Sequence, residues 1–332
     1  MNKLYFWLWN ARWVALPQSI LPALVAICLA HTSPNFSWGM AVLAVFGVAF
    51  GHLGINLLDD FFDYKKDNQA VRDRLNSTGI RARIAKCHYI TSGEVSIRQL
   101  FWVASILCGI ALLLGMIIFF ERGKIILIIS VITAFLGLCY SGRPFRFSYH
   151  GMGELVIGLV FGPLLMWGVY VSAGGLDYSQ LFFISIPIGL LVTNIVYTHS
   201  IIDFEADKAM NKRTLAVLLN RKSLMNIISF LFIFFPFIVV LIGIFLQILS
   251  LWYLFVFLVF YMAITLFRYI LLFQRNAQQK IKPKWWMGPM ENWKNIEAAG
   301  IDWFMIRWYL ARNLITFFCI FTIFASLLSL IF

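Results

Sequence analysis

Charge is what this chain has least of. Only 13% of its 332 residues are Asp, Glu, Lys or Arg, and 61% are hydrophobic, against roughly 25% and 45–50% in soluble domains. With a mean hydropathy of +0.83, too little polar surface remains to cover a globule in water. That excludes a soluble enzyme and makes the bilayer the measure of the chain, with room for about eight to ten helices of roughly 20 residues. Acidic residues are the scarcer sign, 15 against 27 Lys and Arg, a net charge of +12. In a soluble chain that excess would suggest nucleic acid. Here it points to anionic headgroups and loop topology, and no nucleic-acid partner is expected. Cysteines are few: Cys28, Cys87, Cys108, Cys139 and Cys319. Their odd number and lack of paired spacing exclude a disulfide framework and a zinc site. Lys3 and Arg12 precede an apolar run as in a signal peptide, but Pro17 and Gln18 interrupt its start, so an uncleaved first helix is expected.

Apolar runs of spanning length predict nine helices, at 13–31, 38–58, 99–119, 124–140, 155–173, 181–202, 225–246, 250–273 and 309–331. The expected fold is therefore an all-α polytopic membrane bundle forming one transmembrane domain over 1–332, with a long extra loop at about 274–307. Of the 27 Lys and Arg, 23 fall on the N-terminal segment and on the loops after the second, fourth, sixth and eighth helices. Orientation follows such an asymmetry, so that face and the N-terminus are read as cytoplasmic, in the cell's inner (plasma) membrane. A miscount of one helix before residue 203 would have scattered the basic residues over both faces.

Seven of the 15 acidic residues lie in two segments, Asp59–Asp67 at the end of the second span and Asp203–Asp207 at the end of the sixth. At roughly 100° per residue, Asp59, Asp60, Asp63 and Asp67 share about one 100° sector of a helix, and Asp203 and Asp207 repeat the i,i+4 spacing. Like charges so placed repel, so a counter-cation is the physical reason to keep them. Carboxylates at one membrane edge, each set followed by a loop rich in Lys and Arg, suit a metal-bound polyphosphate. Magnesium takes one or two protein carboxylates and fills its octahedron with phosphate oxygens and water. Acids that merely end a span in solvent are the plain alternative for one Asp pair.

These motifs resemble those of the UbiA superfamily of membrane prenyltransferases, NDxxDxxxD and DxxxD at the ends of helices two and six of nine. The resemblance covers about residues 10–220. Within the superfamily, the chain is most similar to the 1,4-dihydroxy-2-naphthoate prenyltransferases of menaquinone synthesis, whose NDYFDYKKG corresponds to Asp59-Asp60-Phe61-Phe62-Asp63-Tyr64-Lys65-Lys66-Asp67. Their GKRTLAV corresponds to Asn211-Lys212-Arg213-Thr214-Leu215-Ala216-Val217. Tyr140-Ser141-Gly142-Arg143-Pro144, Gly151-Met152-Gly153-Glu154 and Phe161-Gly162-Pro163 match further stretches, as do Arg12 and Leu16-Pro17-Gln18-Ser19 at the opening of the first helix. The chain departs from the pattern at Asp59, where Asn is usual, and at His199-Ser200-Ile201-Ile202, where an Asn-Asn-x-Arg run is usual. The loop bearing Trp285, Trp286, Trp293 and Trp303 has no counterpart.

The resemblance implies Mg²⁺-dependent transfer of an isoprenyl chain from a polyprenyl diphosphate to an aromatic acceptor. Asp60, Asp63 and Asp67 would serve one ion, with Asp59 in support, and Asp203 and Asp207 a second. Lys212, Arg213, Lys65, Lys66, Arg72 and Arg74 would neutralise phosphate oxygens, or in the loop after the second helix contact anionic lipid. Tyr140 and Glu154 would orient the acceptor or make structural hydrogen bonds. His52, Asn56 and His199, at or within spans, would line a pocket, helix-to-helix hydrogen bonding being the other reading. Other acceptors remain open: 4-hydroxybenzoate, homogentisate or a glycerol phosphate lipid. A cation transporter fits less well, because it wants its acids near the bilayer midplane and not at one edge.

Overall fold

The structure, a computed structural model, describes residues 2–66, 87–275 and 280–331. Among these residues nine helices are long and apolar enough to cross a membrane: α1 (Trp13–Ala30), α2 (Trp38–Lys65), α3 (Ile97–Arg122), α4 (Lys124–Ser141), α5 (Gly153–Ala173), α6 (Tyr178–Ile202), α7 (Lys222–Phe245), α8 (Leu251–Arg275) and α9 (Asp302–Ile331). Short helices flank them at Lys3–Asn10, His88–Thr91, Phe204–Ala209, Leu215–Leu219 and Trp293–Ala298. With no water in the hydrocarbon to satisfy backbone groups, a helix is the element these runs must form. Among the described residues there is no strand, only an isolated bridge between His150 and Arg213.

Where polar residues meet the ends of these runs, they terminate them. Ser96 and Gln99 form a reciprocal capping box that starts α3. Gly123, at φ 82°, alone separates α3 from α4. The apolar block near 225–273 is broken at Gln247 and Ser250, which divide α7 from α8.

Two boundaries differ from expectation. Lys3–Asn10 is helical ahead of α1. More importantly, α9 starts at Asp302, not near residue 309. Hydropathy misses its first turns because they carry Asp302 and Arg307. Both are buried, and Arg307 donates to the backbone carbonyls of Tyr269 (2.9 Å) and Trp303 while lying over the Phe273 ring. Arg307 is therefore a helix residue of the interior and does not count towards the charge of a loop.

The chain divides into two compact units. The first comprises residues 1–147 and 163–181. In it α2 packs along α3 and also against α1 and α4. The second comprises residues 148–162 and 182–332, with α8 and α9 packed together and α7 against α8. α5 passes from the second unit to the first at Pro163, inside a π-helical turn over Val160–Leu164. Within the second unit its preceding residue, Gly162, lies against the backbone of Gly189. A Cβ there would fall 2.3 Å from the Gly189 Cα, so close approach of α5 and α6 requires the missing side chain.

Candidate active site

In the first unit, α2 continues through Asp59, Asp60 and Asp63 as far as Lys66, so these three acids leave one end of one helix. Asp60 and Asp63 are only 3% and 4% exposed. Burying carboxylates is costly unless they are paired and hydrogen-bonded, and for two of them the partners are plain. Arg12 donates from Nη1 to Asp59 Oδ2 (3.3 Å) and from Nη2 to Asp60 Oδ1. Tyr89 Oη donates to Asp60 Oδ2 (3.0 Å), and Ser141 Oγ donates to Asp59 Oδ1. All four oxygens of these two carboxylates thus accept a hydrogen bond from the protein.

Local backbone aims Arg12. It has φ 61° between the Lys3–Asn10 helix and α1, and Asn56 Nδ2, one turn before Asp60, donates to the carbonyl of Ala11 (3.0 Å). Burial by itself would lower the Arg12 pKa, but Asp60 and then Asp59 outweigh it, and the net shift is upward. The guanidinium stays charged at any accessible pH. Burial, then Asp60, pushes the Tyr89 phenol up as well, so it remains a donor.

In the second unit, α6 ends at Ile202, and Asp203 (φ −89°, ψ 13°) links it to the Phe204–Ala209 helix. The i→i+4 ladder nevertheless continues from His199 O to Asp203 N (2.9 Å) and from Asp203 O to Asp207 N (2.8 Å). Asp203 and Asp207 are 2% and 3% exposed. His199 Nδ1 lies 3.4 Å from Asp203 Oδ2, and Phe304 of α9 meets the His199 ring edge-on at 5.3 Å. A turn at Asn211 (φ 53°) folds the chain back, and Lys212 N donates to the Asp207 carbonyl (2.8 Å). Lys212 Nζ then stands 5.8 Å from the Tyr149 ring centre, and the exposed Arg213 pairs by backbone with His150.

Several expected site residues are held by structural bonds. Glu154 is buried, and its Oε1 accepts from Ser200 Oγ (2.7 Å) and Leu215 N (3.1 Å), tying the start of α5 to α6 and to the segment after Lys212 and Arg213. Of the two roles open to it, hydrogen bonding within the fold is the one the geometry displays. His52 shares a hydrogen bond with Ser19 of α1 (3.0 Å), and Asn56 donates to the Ala11 carbonyl, bonds that tie α2 to α1 and to the turn before it. Tyr140 is half-buried at the end of α4. Lys65 rests over Phe61 (4.3 Å) and borders a cleft of about 420 Å³ with Arg98 and Phe101. Asp67, Arg72, Arg74 and the side chain of Lys66 lie outside the described residues.

Arg12, Tyr89, Ser141 and Phe304 were not assigned to the acidic motifs beforehand. The sequence signals were the positions of Arg12 in the motif that opens the first helix and of Ser141 in the Tyr140–Pro144 stretch. Among the described residues, no three His, Cys, Asp or Glu side chains gather into a metal cage. That is compatible with magnesium, which needs only one or two protein carboxylates beside phosphate and water. Asp63 and the Asp203/Asp207 pair, all-oxygen and buried, have the hard-donor chemistry it requires.

The 1,4-dihydroxy-2-naphthoate octaprenyltransferase of Bacillus subtilis (strain 168) is 26% identical over 214 residues, 64% of this chain and 66% of the relative. Across three curated relatives the matched stretch spans between 57% and 66% of the relative's length. The structure of a UbiA homologue from Aeropyrum pernix K1 superposes with a TM-score of 0.59 at 14% identity, covering 96% of this chain and 98% of the other. That of a homologue from Archaeoglobus fulgidus bound to GPP and Mg²⁺ gives 0.53 at 15% identity, covering 93% and 99%. These likenesses establish the same membrane-helical fold. The family model itself matches residues 19–294, a stretch that contains both acidic motifs. By its motifs, its fold and that match, the chain belongs to the UbiA prenyltransferase family.

Proposed function

We propose that this chain is a membrane prenyltransferase that moves an isoprenyl group from a polyprenyl diphosphate to an aromatic acceptor, 1,4-dihydroxy-2-naphthoate in menaquinone biosynthesis. One observation carries the reading: four carboxylates, Asp60, Asp63, Asp203 and Asp207, buried to within 4% at two helix ends. So many buried acids are retained where a cationic ligand uses them. The acceptor follows from the motif Asp59–Asp67, from Lys212–Val217, and from the name of the Bacillus subtilis relative.

Asp63 and Asp67, with Asp60, would hold one Mg²⁺ ion, and Asp203 with Asp207 a second. When bound, magnesium supplies neutralising charge to the diphosphate. Lys212 and Arg213 add cationic donors to the phosphate oxygens. Neutralising that leaving group lowers the barrier to heterolysis of the allylic C–O bond, in which the diphosphate departs with the electron pair. The electron-rich ring then forms the new C–C bond and loses its proton. Arg12 holds Asp59 and Asp60, and His199 holds Asp203, so that these carboxylates keep their places. The prenyl tail needs no polar partner and lies against apolar helix faces. The N-terminus and both acidic motifs are assigned to the cytoplasmic side of the plasma membrane.

Membranes containing the chain, given a radiolabelled polyprenyl diphosphate and Mg²⁺, should label 1,4-dihydroxy-2-naphthoate. Labelling of 4-hydroxybenzoate, homogentisate or a glycerol phosphate lipid instead would keep prenyl transfer and replace the acceptor. No transfer to any of these acceptors would remove the enzymatic reading.

A further inference from the structure

The connection between α8 and α9 holds a second feature, independent of the reaction proposed above. We propose that the segment between α8 and α9 binds the headgroup of an anionic phospholipid, in a cleft of about 520 Å³ formed chiefly by Lys282, Lys284, Trp285 and Trp293.

This segment is built onto α9 by named bonds. Asn313 Nδ2 donates to the carbonyls of Met287 (2.8 Å) and Pro289 (3.0 Å). Arg312 donates to the Pro289 carbonyl (2.9 Å) and to Glu291 Oε2 (3.0 Å), and Tyr309 Oη donates to the Glu291 carbonyl (3.0 Å). Met287 is fully buried, and Trp286 packs on Tyr261 of α8 with ring centres 4.6 Å apart. Gly288 has φ +83°, and a Cβ there would fall 2.7 Å from the Phe317 ring, so the backbone lies directly on α9. On this pinned backbone Trp285 is 93% exposed. Its exposure is fixed by the structure around it.

The depth of the anchor identifies what Trp285 meets. From Leu314 to Ile331, α9 is almost wholly apolar, roughly 18 residues or about 27 Å, close to the ~30 Å thickness of the hydrocarbon. Tyr309, Arg312 and Asn313 therefore mark the level at which α9 leaves the hydrocarbon, and they hold the segment at headgroup depth. Indole rings favour that level. The charge of the cleft selects the headgroup. Glu291 is engaged by Arg312, which leaves Glu297 on the cleft against Lys280, Lys282, Lys284 and Lys294 on the same described segment. The surplus is positive, as an anionic headgroup requires and a zwitterionic one does not.

The test uses the full chain, purified and placed in phosphatidylcholine nanodiscs that contain either brominated phosphatidylglycerol or, at the same mole fraction, brominated phosphatidylcholine. Bromine quenches nearby indoles. Phosphatidylglycerol should quench tryptophan emission more strongly, and Trp285→Phe should reduce the excess, the remainder coming from Trp293 on the same cleft. Each lysine facing an anionic surface contributes about fivefold to binding. Lys282→Gln with Lys284→Gln should therefore reduce phosphatidylglycerol retained on the purified chain, read by native mass spectrometry, on the order of thirtyfold. All three side chains are exposed, so the variants keep the fold. Equal quenching by the two lipids, a preference for the zwitterionic one, or an excess undiminished in Trp285→Phe would each overturn the proposal.

Discussion

At the scale of single residues, Arg12 changes the electrostatics of the first acidic motif. The crowding of Asp59 and Asp60 suggests a missing cation, and the structure supplies one from the chain itself, 47 and 48 residues away. Its planar fork presents a separate nitrogen to each carboxylate in fixed geometry, which the single nitrogen of a lysine ammonium does not. Arg12→Gln should destabilise the protein by about 2 kcal/mol in denaturant melts, below the 3–5 kcal/mol of a fully buried pair because Arg12 is partly exposed. Arg12→Lys should recover part of that loss. Added Mg²⁺ should raise the melting temperature of Arg12→Gln more than that of the wild type, since the ion takes over carboxylates the guanidinium has left. Equal Mg²⁺ shifts in both proteins would mean that Arg12 and the ion do not compete for Asp59 and Asp60. The acids themselves were legible in the sequence because helical spacing is local. Their partners were not, because Arg12 and Tyr89 meet Asp60 only through tertiary packing, which no period in the sequence records.

At the scale of elements, the sequence was clearest where a run is purely apolar and least clear where a helix carries its own polar residues. The spans from α1 to α8 follow from hydropathy with end shifts of three residues or fewer, except that α2 runs on from 58 through the acidic residues to Lys65. α9 does not, because Arg307 is buried while bonded to carbonyls, and hydropathy counts it as solvent-exposed. Its Nη2 has no hydrogen-bond partner among the described residues. A buried charge without a carboxylate contributes little net stability, whereas its stem fills space. Arg307→Met should therefore lie within about 1 kcal/mol of the wild type, while Arg307→Ala should lose about 3 kcal/mol through the cavity it leaves. Parity of the two variants in thermal melts would contradict this division. Glu154 poses a similar question for α5 and α6. Because one oxygen accepts both bonds, Glu154→Gln should keep the wild-type melting temperature and diphosphate KM. Glu154→Ala should lose about 2 kcal/mol and raise that KM, as the segment carrying Lys212 and Arg213 loosens. A Gln variant that folds normally yet raises the acceptor KM would restore the acceptor-binding role.

For the whole molecule, the decisive property is how many ligands the two acidic motifs serve. Asp63 and Asp207 lie in different units of the chain, and the family reading assigns them to one diphosphate. Stoichiometry distinguishes this from two separate cation sites. With Mg²⁺ and a non-reactive thio-analogue of geranyl diphosphate, calorimetry on the wild type should give one bound ligand per chain. Asp63→Ala and Asp207→Ala should each weaken that single event by at least tenfold and abolish transfer, with the fold retained. The double variant should be no weaker than the worse single one, because residues that act on a common ligand are not additive. Two motifs working independently would instead give two bound ligands, and each variant would lose one and keep the other. Full transfer activity in either single variant would leave the buried acids without the task that justifies them. The basic loops that follow both motifs would then be contacts with lipid alone, at about 1 kcal/mol for each Lys or Arg.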